Sequence, residues 1–427
     1  MDCVSKEIAT SFIVISTALT IGALVIAWFC RRRLQQGTKP ADVKIGQPAI
    51  LAIGLAVPDQ AMDWKRLTAF ADSHPDFTDD ARDFFKRVNK SNGNEVRYMA
   101  AFGDDGLFND PNNPKKHTSV AARHELWSKT ASKLSIEATN EALTKWGGDK
   151  NKITHVVFHS CTGFKAPGIE LEIIEACKLN GVQRRLGINF MGCHGAFPGM
   201  ALAKAFVNED PNAVVLVVCT EVCSAQFSAS TERSKAIGNS IFGDGSAAVV
   251  IGAGKAGDWA IADQSTTTLG PETRACMTWK HGDDPWYELN LDKSLGNNLG
   301  SVLFPLVTKL LLKIGAGGPS SIAWCVHPGG RGLLDMFAKG GGVIGGLGRD
   351  NLHHSYEVLR LYGNMCSPTV FFVMHHMMGA QDQLEPALRK SHAACLGFGP
   401  GLTIETTILR RIEDNHPPCK TVNKEQV

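Results

Sequence analysis

The sequence has little net charge and no feature that would recognise a polyanion. Its 427 residues include 44 Lys and Arg against 42 Asp and Glu, which leaves a formal net charge of +2. No dense basic cluster with interleaved aromatic residues occurs along the chain, so the sequence gives no support for nucleic-acid binding. Because 44% of the residues are hydrophobic, we expect a globular protein with a large core.

Metal-binding patterns are also missing. The 12 cysteines are scattered without a C-x-x-C pair, and the spaced pair Cys219 and Cys223 lacks a second half, which argues against zinc. His155 and His159 fall on one face of a predicted strand, but no third ligand accompanies them, so no metal is expected. Scattered cysteines in so long a chain are typical of a reducing compartment.

Charge is absent from the run between Ile8 and Cys30, which is rich in Ile, Val, Leu and Ala. About 20 apolar residues suffice to cross a bilayer as a helix. Three arginines, residues 31–33, follow at once, so the positive-inside rule predicts a single-pass anchor at 8–30, within an N-terminal segment 1–33, and a cytosolic remainder. The alternative is a cleaved signal or organelle-targeting segment, although the preceding residues are not basic and no clear A-x-A site occurs.

After this segment the sequence predicts an α/β protein. Residues 34–45 are polar and are expected to form a linker, and residues 414–427 a polar tail. Apolar runs predict buried, largely parallel strands that alternate with helices; examples are Pro48–Ala56, Ile153–Phe158 and Ala213–Cys219. Ser119 should cap a long helix that the glycine pair 147–148 ends.

A G-x-G turn that leads into an apolar strand occurs twice. The first is at Gly243 to Gly245 and the second at Gly397 to Gly401. Each lies at the end of an α/β stretch of comparable length, which favours an internal duplication with halves at 46–252 and 253–413.

Cys193 is the first candidate nucleophile. The apolar run from Leu186 to Met191 predicts a buried strand, and a helix is predicted from Gly199 to Asn208. A thiol at such a junction lies near the positive end of the helix dipole, which favours the thiolate. The flanking glycines Gly192 and Gly195 permit a sharp turn and a close approach of a ligand. A buried structural cysteine is the alternative.

Two further segments carry polar partners for such a nucleophile. A short apolar strand from Ala323 ends in His327, and Asn364 precedes an apolar, helical segment from Thr369 to Met378. A Cys, a His and an Asn that each lie beside glycine, at the end of a buried element, are typical of a covalent catalyst with its partners. His194 is the competing base, but a sequence neighbour at a turn usually points elsewhere, so we favour His327.

These segments resemble the type III polyketide synthases, the chalcone and stilbene synthase family of the thiolase fold. The similarity extends from about Pro48 to Arg410 and is closer to bacterial and algal members than to plant ones. No single motif is specific, but their order and spacing together are; they are RYM (97–99), ITH (153–155), MGCHGA (191–196), FGDG (242–245), HPGG (327–330) and GFGPGLTIET (397–406).

The resemblance implies a duplicated α-β-α-β-α architecture, a homodimer and a decarboxylating condensing enzyme without a metal or prosthetic group. A Cys193 thiolate paired with His327 would take an acyl group from acyl-CoA. His327 Nε2 and the Asn364 amide would stabilise the enolate formed from malonyl-CoA. Product release would follow cyclisation of the extended chain.

The resemblance also assigns residues to the binding of substrates. Phe227 would be an aromatic gate and Tyr287 a second one, and Lys90 and Arg97 would meet the phosphates of CoA. The remaining substrate-binding positions that it implies are Cys161, Thr162, Ala166, Cys366, Gly397, Gly399 and Pro400.

This chain departs from plant members at three of these positions, which are Cys161, Ala166 and Cys366. Because the small Ala166 leaves room and an anchored enzyme sits where acyl chains partition, we predict a fatty acyl-CoA starter. The product would be a pyrone, a resorcinol or a phloroglucinol. The alternatives are a 3-ketoacyl-CoA synthase of fatty-acid elongation and a Cys/His acyltransferase or hydrolase that uses no malonyl-CoA.

Overall fold

The computed structural model describes residues 46–74, 77–108, 119–228, 232–281, 287–340 and 346–413. The predicted anchor at 8–30, the linker at 34–45 and the tail at 414–427 lie outside these ranges.

Within these ranges the chain alternates strands and helices. The strands are β1 (Pro48–Ala56), β2 (Ala61–Asp63), β3 (Val96–Tyr98), β4 (His155–Ser160), β5 (Arg184–Asn189), β6 (Val215–Val222), β7 (Asp244–Ala253), β8 (Trp259–Thr268), β9 (Met277–His281), β10 (Tyr287–Leu291), β11 (Ala323–Val326), β12 (His392–Gly399) and β13 (Thr403–Arg411). The α-helices are α1 (Trp64–Ser73), α2 (Asp79–Ser91), α3 (Val120–Trp146), α4 (Ile169–Cys177), α5 (Ala196–Glu209), α6 (Arg233–Ile241), α7 (Leu295–Lys313), α8 (Arg331–Lys339), α9 (His353–Tyr362) and α10 (Thr369–Gln383).

Nine strands form one mixed sheet in the order β11-β12-β13-β8-β1-β7-β6-β4-β5. Its two parts have matching pairings. In the first, β4 and β6 are parallel, and β6, β7 and β1 are antiparallel neighbours. In the second, β11 and β12 are parallel, and β12, β13 and β8 are antiparallel neighbours. The parts meet where β1 and β8 pair at Ala49 and Ile50.

The central strands of the sheet, such as β6, are buried on both faces, and this divides the molecule into layers. Along β6, Val215, Val217 and Cys219 belong to a central core that also contains α5 and α10. The intervening Leu216 and Val218 face α3 and α4 on the outside. On the second part, β11, β12 and β13 likewise share the central core and cover their other face with α7 and α8. The result is the α-β-α-β-α arrangement of a thiolase-like fold.

One described helix, α7, is long and apolar enough to cross a membrane by length and composition. Its apolar residues Leu299, Leu303 and Val307 are fully buried in the outer core of the second part. Core packing therefore accounts for its composition.

Local sequence signals predict several elements closely. β1 has the expected bounds, and α3 begins after Ser119, whose side chain accepts a hydrogen bond from the Ala122 N–H. The same helix ends at Gly147, which has the left-handed conformation that favours glycine (φ 66°).

Three expectations are corrected. The strand around Leu186 is not buried, because β5 is the last strand of the sheet and, within the described ranges, β4 is its one neighbour. α5 begins at Ala196 rather than at Gly199. In the second glycine motif, residues 397–399 end β12, so the turn that leads into β13 lies after the G-x-G residues, at Pro400 and Gly401, rather than on them.

Candidate active site

Three polar side chains from separate segments reach one cavity. Cys193 lies in the short turn between β5 and α5, His327 directly follows β11, and Asn364 lies between α9 and α10. All three line a cavity of about 840 Å³, and they are 8%, 0% and 2% exposed, respectively. The structure thus brings the predicted nucleophile and both of its predicted partners together.

Glycines allow the turn around Cys193 to lie against the β12–β13 connection. Gly192 is left-handed (φ 79°), and a Cβ there would lie 2.3 Å from Pro400 Cδ. A Cβ on Gly399 would lie 2.3 Å from His194 Nδ1. Side chains at these positions would therefore separate the two halves where the nucleophile sits.

The surroundings of Cys193 favour its thiolate. The hydrogen bond from Cys366 and the hydrogen bond and charge of His327 together lower the pKa of Cys193 to about 5, although burial acts in the opposite direction. The thiol also lies just before the first turn of α5, where backbone N–H groups are unpaired. Cys193 is therefore suited to nucleophilic attack.

His327 and Asn364 both offer hydrogen-bond donors to the cavity. Neither ring nitrogen of His327 has another aligned hydrogen-bond partner among the described residues. Asn364 Oδ1 accepts the Cys366 N–H at 2.8 Å, so the amide orientation is fixed. Its Nδ2 donates to Gly329 O at 3.2 Å, which places the NH2 group on the side of the histidine. The pair forms a set of donors suitable for an oxyanion.

Glu221 is the functional neighbour that the sequence-based interpretation missed. It lies on β6, and its Oε2 accepts hydrogen bonds from Ser160 Oγ (3.3 Å), Cys161 N (2.9 Å), Thr162 N (3.0 Å) and Thr162 Oγ1 (2.8 Å). Its Oε1 accepts the Ser367 hydroxyl at 2.6 Å. Burial raises the pKa of Glu221 to about 7, against these hydrogen bonds, which lower it. The sequence signal that could have identified Glu221 is a carboxylate within a mostly apolar strand, because an acidic residue is rarely buried without partners.

The same carboxylate bears on the question of a metal. Among the described residues, His159, Cys161 and Glu221 have side-chain ligand atoms within 4.8 Å of one another. Glu221 already accepts the five hydrogen bonds above. The buried His159 ring packs directly against Gly195, since a Cβ added to this glycine would lie 2.1 Å from His159 Nε2. This group therefore fits a hydrogen-bonded network better than an ion site. His155, the other half of the predicted pair, stacks on Phe206 at 4.2 Å.

The cavity wall is mainly apolar, with cations among its lining residues. The apolar lining includes Phe84, Val88, Phe242, Met277, Trp279, Leu289, Leu291, Leu295, Leu333, Met336 and Phe398. Arg233, Lys293 and Arg331 also line the cavity and are exposed. The sequence-based interpretation did not identify these three cations, because a cation that lines a cavity and one that is only solvated have the same local sequence signal.

The predicted substrate-binding residues differ in their position relative to the cavity. Cys161, Cys366 and Pro400 line the cavity. Thr162, Gly397 and Gly399 are buried and do not line it: the threonine hydroxyl is committed to Glu221, and a Cβ on Gly397 would lie 2.2 Å from the Phe197 ring. Ala166 is exposed on the loop before α4. Tyr287 begins β10, and its side chain is outside the described part of the structure.

Phe227 is not placed as an aromatic gate of the main cavity. It is 2% exposed and packs at the centre of a ring cluster, with centroids 5.2 Å from Phe102 and 5.5 Å from Phe108. It lines a separate, smaller void together with Phe242 and Trp279, which line the main cavity as well. Of these two rings, Phe242 packs in the cluster that contains Cys193.

The two cations predicted to meet CoA differ completely in their surroundings. Arg97 is 1% exposed and donates to the carbonyl oxygens of Asn239 (2.8 Å) and Phe242 (2.6 Å). Burial lowers the pKa of Arg97 to about 9, with Asp244 acting against it. The assignment of Arg97 to CoA phosphates is therefore wrong, since its donors are used inside the core. Lys90 is exposed at the end of α2, next to the lining residues Ser91 and Asn92.

His194 is likewise turned away from the chemistry. It is 2% exposed, does not line the cavity and lies against Gly399. Burial and the neighbouring His327 lower the pKa of His194 to about 4, so it stays neutral at physiological pH. The preference for His327 over His194 as partner of the nucleophile agrees with this geometry.

Comparison with known proteins gives consistent matches. Residues 35–255 match the family model of the chalcone and stilbene synthases, N-terminal domain, and residues 265–413 match that of the C-terminal domain. The chain is 28% identical over 376 residues to "Probable polyketide synthase 1" of Dictyostelium discoideum, a match that covers 85% of this chain but only 11% of that much longer protein.

Two solved structures are similar over most of this chain. One is the C-terminal type III polyketide synthase domain of Steely1, a type I/III hybrid from Dictyostelium, with 27% identity, a TM-score of 0.73 and coverage of 86% of this chain and 99% of that one. The other is PKS-I from the brown alga Ectocarpus siliculosus, with 25% identity, a TM-score of 0.79 and coverage of 87% and 100%.

Proposed function

Because the chain belongs to the chalcone and stilbene synthase family of type III polyketide synthases, we propose that it extends an acyl-CoA starter with malonyl-CoA. The observation that carries the proposal is the convergence of Cys193, His327 and Asn364 on one buried, mainly apolar cavity. Neither alternative class is favoured by a further observation.

In the first step the starter is transferred to the protein. The Cys193 thiolate attacks the thioester carbonyl of acyl-CoA, a new carbon–sulfur bond forms, and the bond to the CoA sulfur breaks. The lowered pKa of Cys193 supplies the thiolate at neutral pH. The departing CoA thiolate takes the proton of the His327 imidazolium, which leaves the ring neutral.

In the second step malonyl-CoA loses CO2, and the electron pair of the broken bond becomes the enolate of acetyl-CoA. The enolate oxygen accepts hydrogen bonds from the His327 ring N–H and the Asn364 NH2, and the orientation of the Asn364 amide is fixed before the charge appears. The enolate carbon then attacks the thioester on Cys193. A carbon–carbon bond forms, and the Cys193 thiolate leaves, ready for another cycle.

The cavity supports a fatty acyl starter. Its volume of about 840 Å³ lies in the upper part of the range of roughly 300–1,000 Å³ for small-molecule sites, and its wall is mainly apolar. Phosphate groups of CoA would meet Arg233, Lys293 and Arg331 among the lining residues, with Lys90 beside them. A chain extended in this way would cyclise to a pyrone, a resorcinol or a phloroglucinol.

Product analysis with the full-length protein tests the proposal. Mass spectrometry after incubation with malonyl-CoA and acyl-CoAs of increasing length should show multiply extended, cyclised products, most from long-chain starters and undiminished by EDTA. Cys193→Ala and Asn364→Ala should each abolish the release of CO2 from malonyl-CoA, whereas Leu388→Ala, at an exposed position away from the cavity lining, should leave it intact. A single condensation per starter would identify a 3-ketoacyl-CoA synthase instead, and acyl transfer without CO2 release an acyltransferase.

A homodimer is part of the proposal. Among the described strands, β5 is the last of the sheet and pairs with β4 alone, so its other edge is available to a second copy. Phe164 and Phe190 lie nearby, are 52% and 53% exposed, and have ring centroids 6.1 Å apart. Ala166 follows Phe164 by two residues, so a subunit contact here would bring that loop to the partner.

Membrane attachment through residues 8–30 completes the proposal, with the catalytic part in the cytosol. It is supported by the uncharged run and the arginines that follow it. In a flotation assay, Leu19→Arg should move the full-length protein out of the membrane fraction. Ser5→Arg, which lies before the run, should not; equal flotation of the two variants would contradict the anchor.

A further inference from the structure

Two further cysteines lie in the same part of the cavity as the candidate nucleophile, Cys193. Cys161, Cys193 and Cys366 are 5%, 8% and 6% exposed, and all three line the cavity. Cys366 acts on the pKa of both other thiols, which it lowers. Cys193 and Cys366 also pack in one apolar cluster with Cys223 and the ring of Phe242.

The backbone holds Cys366 in this position. Its φ of 59° is left-handed, which is uncommon for a residue other than glycine and persists only where the surroundings enforce it. Its N–H donates to Asn364 Oδ1 at 2.8 Å, and its carbonyl accepts the Thr369 hydroxyl at 2.8 Å. The next residue, Ser367, is anchored to Glu221 at 2.6 Å. The backbone at Cys366 is therefore held in place before any substrate binds.

Only one of the three thiols is suited to ionise. Hydrogen bonds to Cys161 and Cys193 and burial raise the pKa of Cys366 well above its ordinary value. Burial raises the pKa of Cys161 as well. Cys161 Sγ already accepts the Gly192 N–H at 2.9 Å and lies 3.7 Å from the Nε2 of His159. At neutral pH, Cys366 therefore keeps its proton and can donate it in a hydrogen bond.

The Cys366 proton has two possible acceptors, and charge decides between them. A hydrogen bond to an ionised acceptor is roughly twice as strong as one to a neutral group. We propose that Cys366 is a positioning residue whose S–H group donates a hydrogen bond to the Cys193 thiolate, so that the nucleophile has a second donor besides His327. When Cys193 carries an acyl group the charge is lost, and the S–H group turns to Cys161.

This role rests on the proposed function only in taking Cys193 as the nucleophile, and it can be tested without any acyl-CoA. The full-length protein is treated with iodoacetamide between pH 4.5 and 9.5, and the alkylation rate of the Cys193 peptide is followed by mass spectrometry. In the wild type the rate should rise with a midpoint near pH 5. In Cys366→Ala the midpoint should move up by about one to two pH units, since a donor to the charged form is lost. Cys366→Ser keeps a donor, so its midpoint should lie close to that of the wild type.

Cys223→Ala is the matched control, because it removes a thiol from the same packed cluster without removing a donor to Cys193. Its midpoint should equal that of the wild type. An unchanged midpoint in Cys366→Ala, or equal shifts in Cys366→Ala and Cys223→Ala, would overturn the proposal. If Cys366→Ala fails to fold, the comparison of Cys366→Ser with the wild type decides: the midpoint of the serine variant should stay within one pH unit, and a larger shift would count against a hydroxyl donor replacing the thiol.

The outcomes also separate this role from the proposed function. If the midpoint shifts in Cys366→Ala but the wild-type protein makes no extended product, the role of Cys366 is supported and the polyketide activity is rejected. Extended products from a protein whose midpoint does not depend on Cys366 would do the reverse.

Discussion

At the scale of single residues, burial rather than residue type decides what each cation near the site does. The Arg97 guanidinium fits a pocket of backbone carbonyl oxygens behind the cavity, near Asp244, which is also fully buried. A buried cation that loses its partners, or leaves them behind, is costly. Lys90 is exposed, so its removal leaves no buried group without a partner. Two cations that the sequence presents as equivalent therefore have opposite consequences when they are removed.

We expect Arg97→Met to lower the free energy of unfolding by about 3–5 kcal/mol, because it leaves the carbonyl acceptors without their donor and the buried Asp244 without a nearby positive charge. Lys90→Met should change it by less than about 0.5 kcal/mol and raise KM for acyl-CoA by up to about fivefold. Urea unfolding and steady-state kinetics measure both quantities. Equal loss of stability in the two variants, or an unchanged KM in Lys90→Met, would contradict these roles.

At the scale of secondary-structure elements, the start of α5 is positioned by its contact with β4. Gly195 immediately precedes the helix and lies on the imidazole of His159, which is held between Glu221 Oε1 at 3.6 Å and Cys161 Sγ at 3.7 Å. The ring has no room to move, so the distance between β4 and α5 depends on the missing side chain at Gly195. The same contact fixes the turn that carries Cys193.

Gly195→Ala should therefore shift the start of α5 and lower the free energy of unfolding by about 1–3 kcal/mol, the usual cost of overpacking. The alkylation rate of Cys193 should fall with it. Gly379→Ala, in the exposed middle of α10 with no atom within 4 Å of the new Cβ, should instead raise stability by about 0.5–1 kcal/mol. Urea denaturation of both variants checks the contrast, and a neutral Gly195→Ala would show that the contact is not tight.

The elements also show what could be predicted from the sequence. The cap at Ser119 and the glycine stop at Gly147 define α3 because both signals act within a few residues. The run at Leu186 gave the wrong burial, since an apolar run does not reveal whether a strand has one neighbour or two. For the site, Cys193, His327 and Asn364 could be found because each lies at an element end beside glycine. The roles of Arg97, Phe227 and Thr162 could not, because they depend on contacts with residues far along the chain.

At the scale of the whole molecule, the site is built from both parts of the sheet. Cys193 follows a strand of the first part, while His327 follows a strand of the second part and Asn364 precedes α10 in the central layer. Relative movement of the two parts would separate the nucleophile from its partners. The β12–β13 connection limits this movement, because Pro400 packs on Gly192. A contact that limits movement of the first part therefore also keeps Cys193 close to His327 and Asn364.

A second copy on the free edge of β5 would be such a contact. Phe164→Glu places a charge on the exposed aromatic surface beside this edge and should convert the proposed dimer largely to monomer in sedimentation velocity. Leu388→Glu is the control, since Leu388 is an equally apolar residue that is 65% exposed elsewhere on the surface. Its sedimentation coefficient should match that of the wild type. The Phe164→Glu monomer should also lose activity and unfold at a lower urea concentration, because each subunit no longer supports the turn of Cys193 in its partner. A wild-type protein that sediments as a monomer, or a dimer that survives Phe164→Glu, would show that this edge is not the interface.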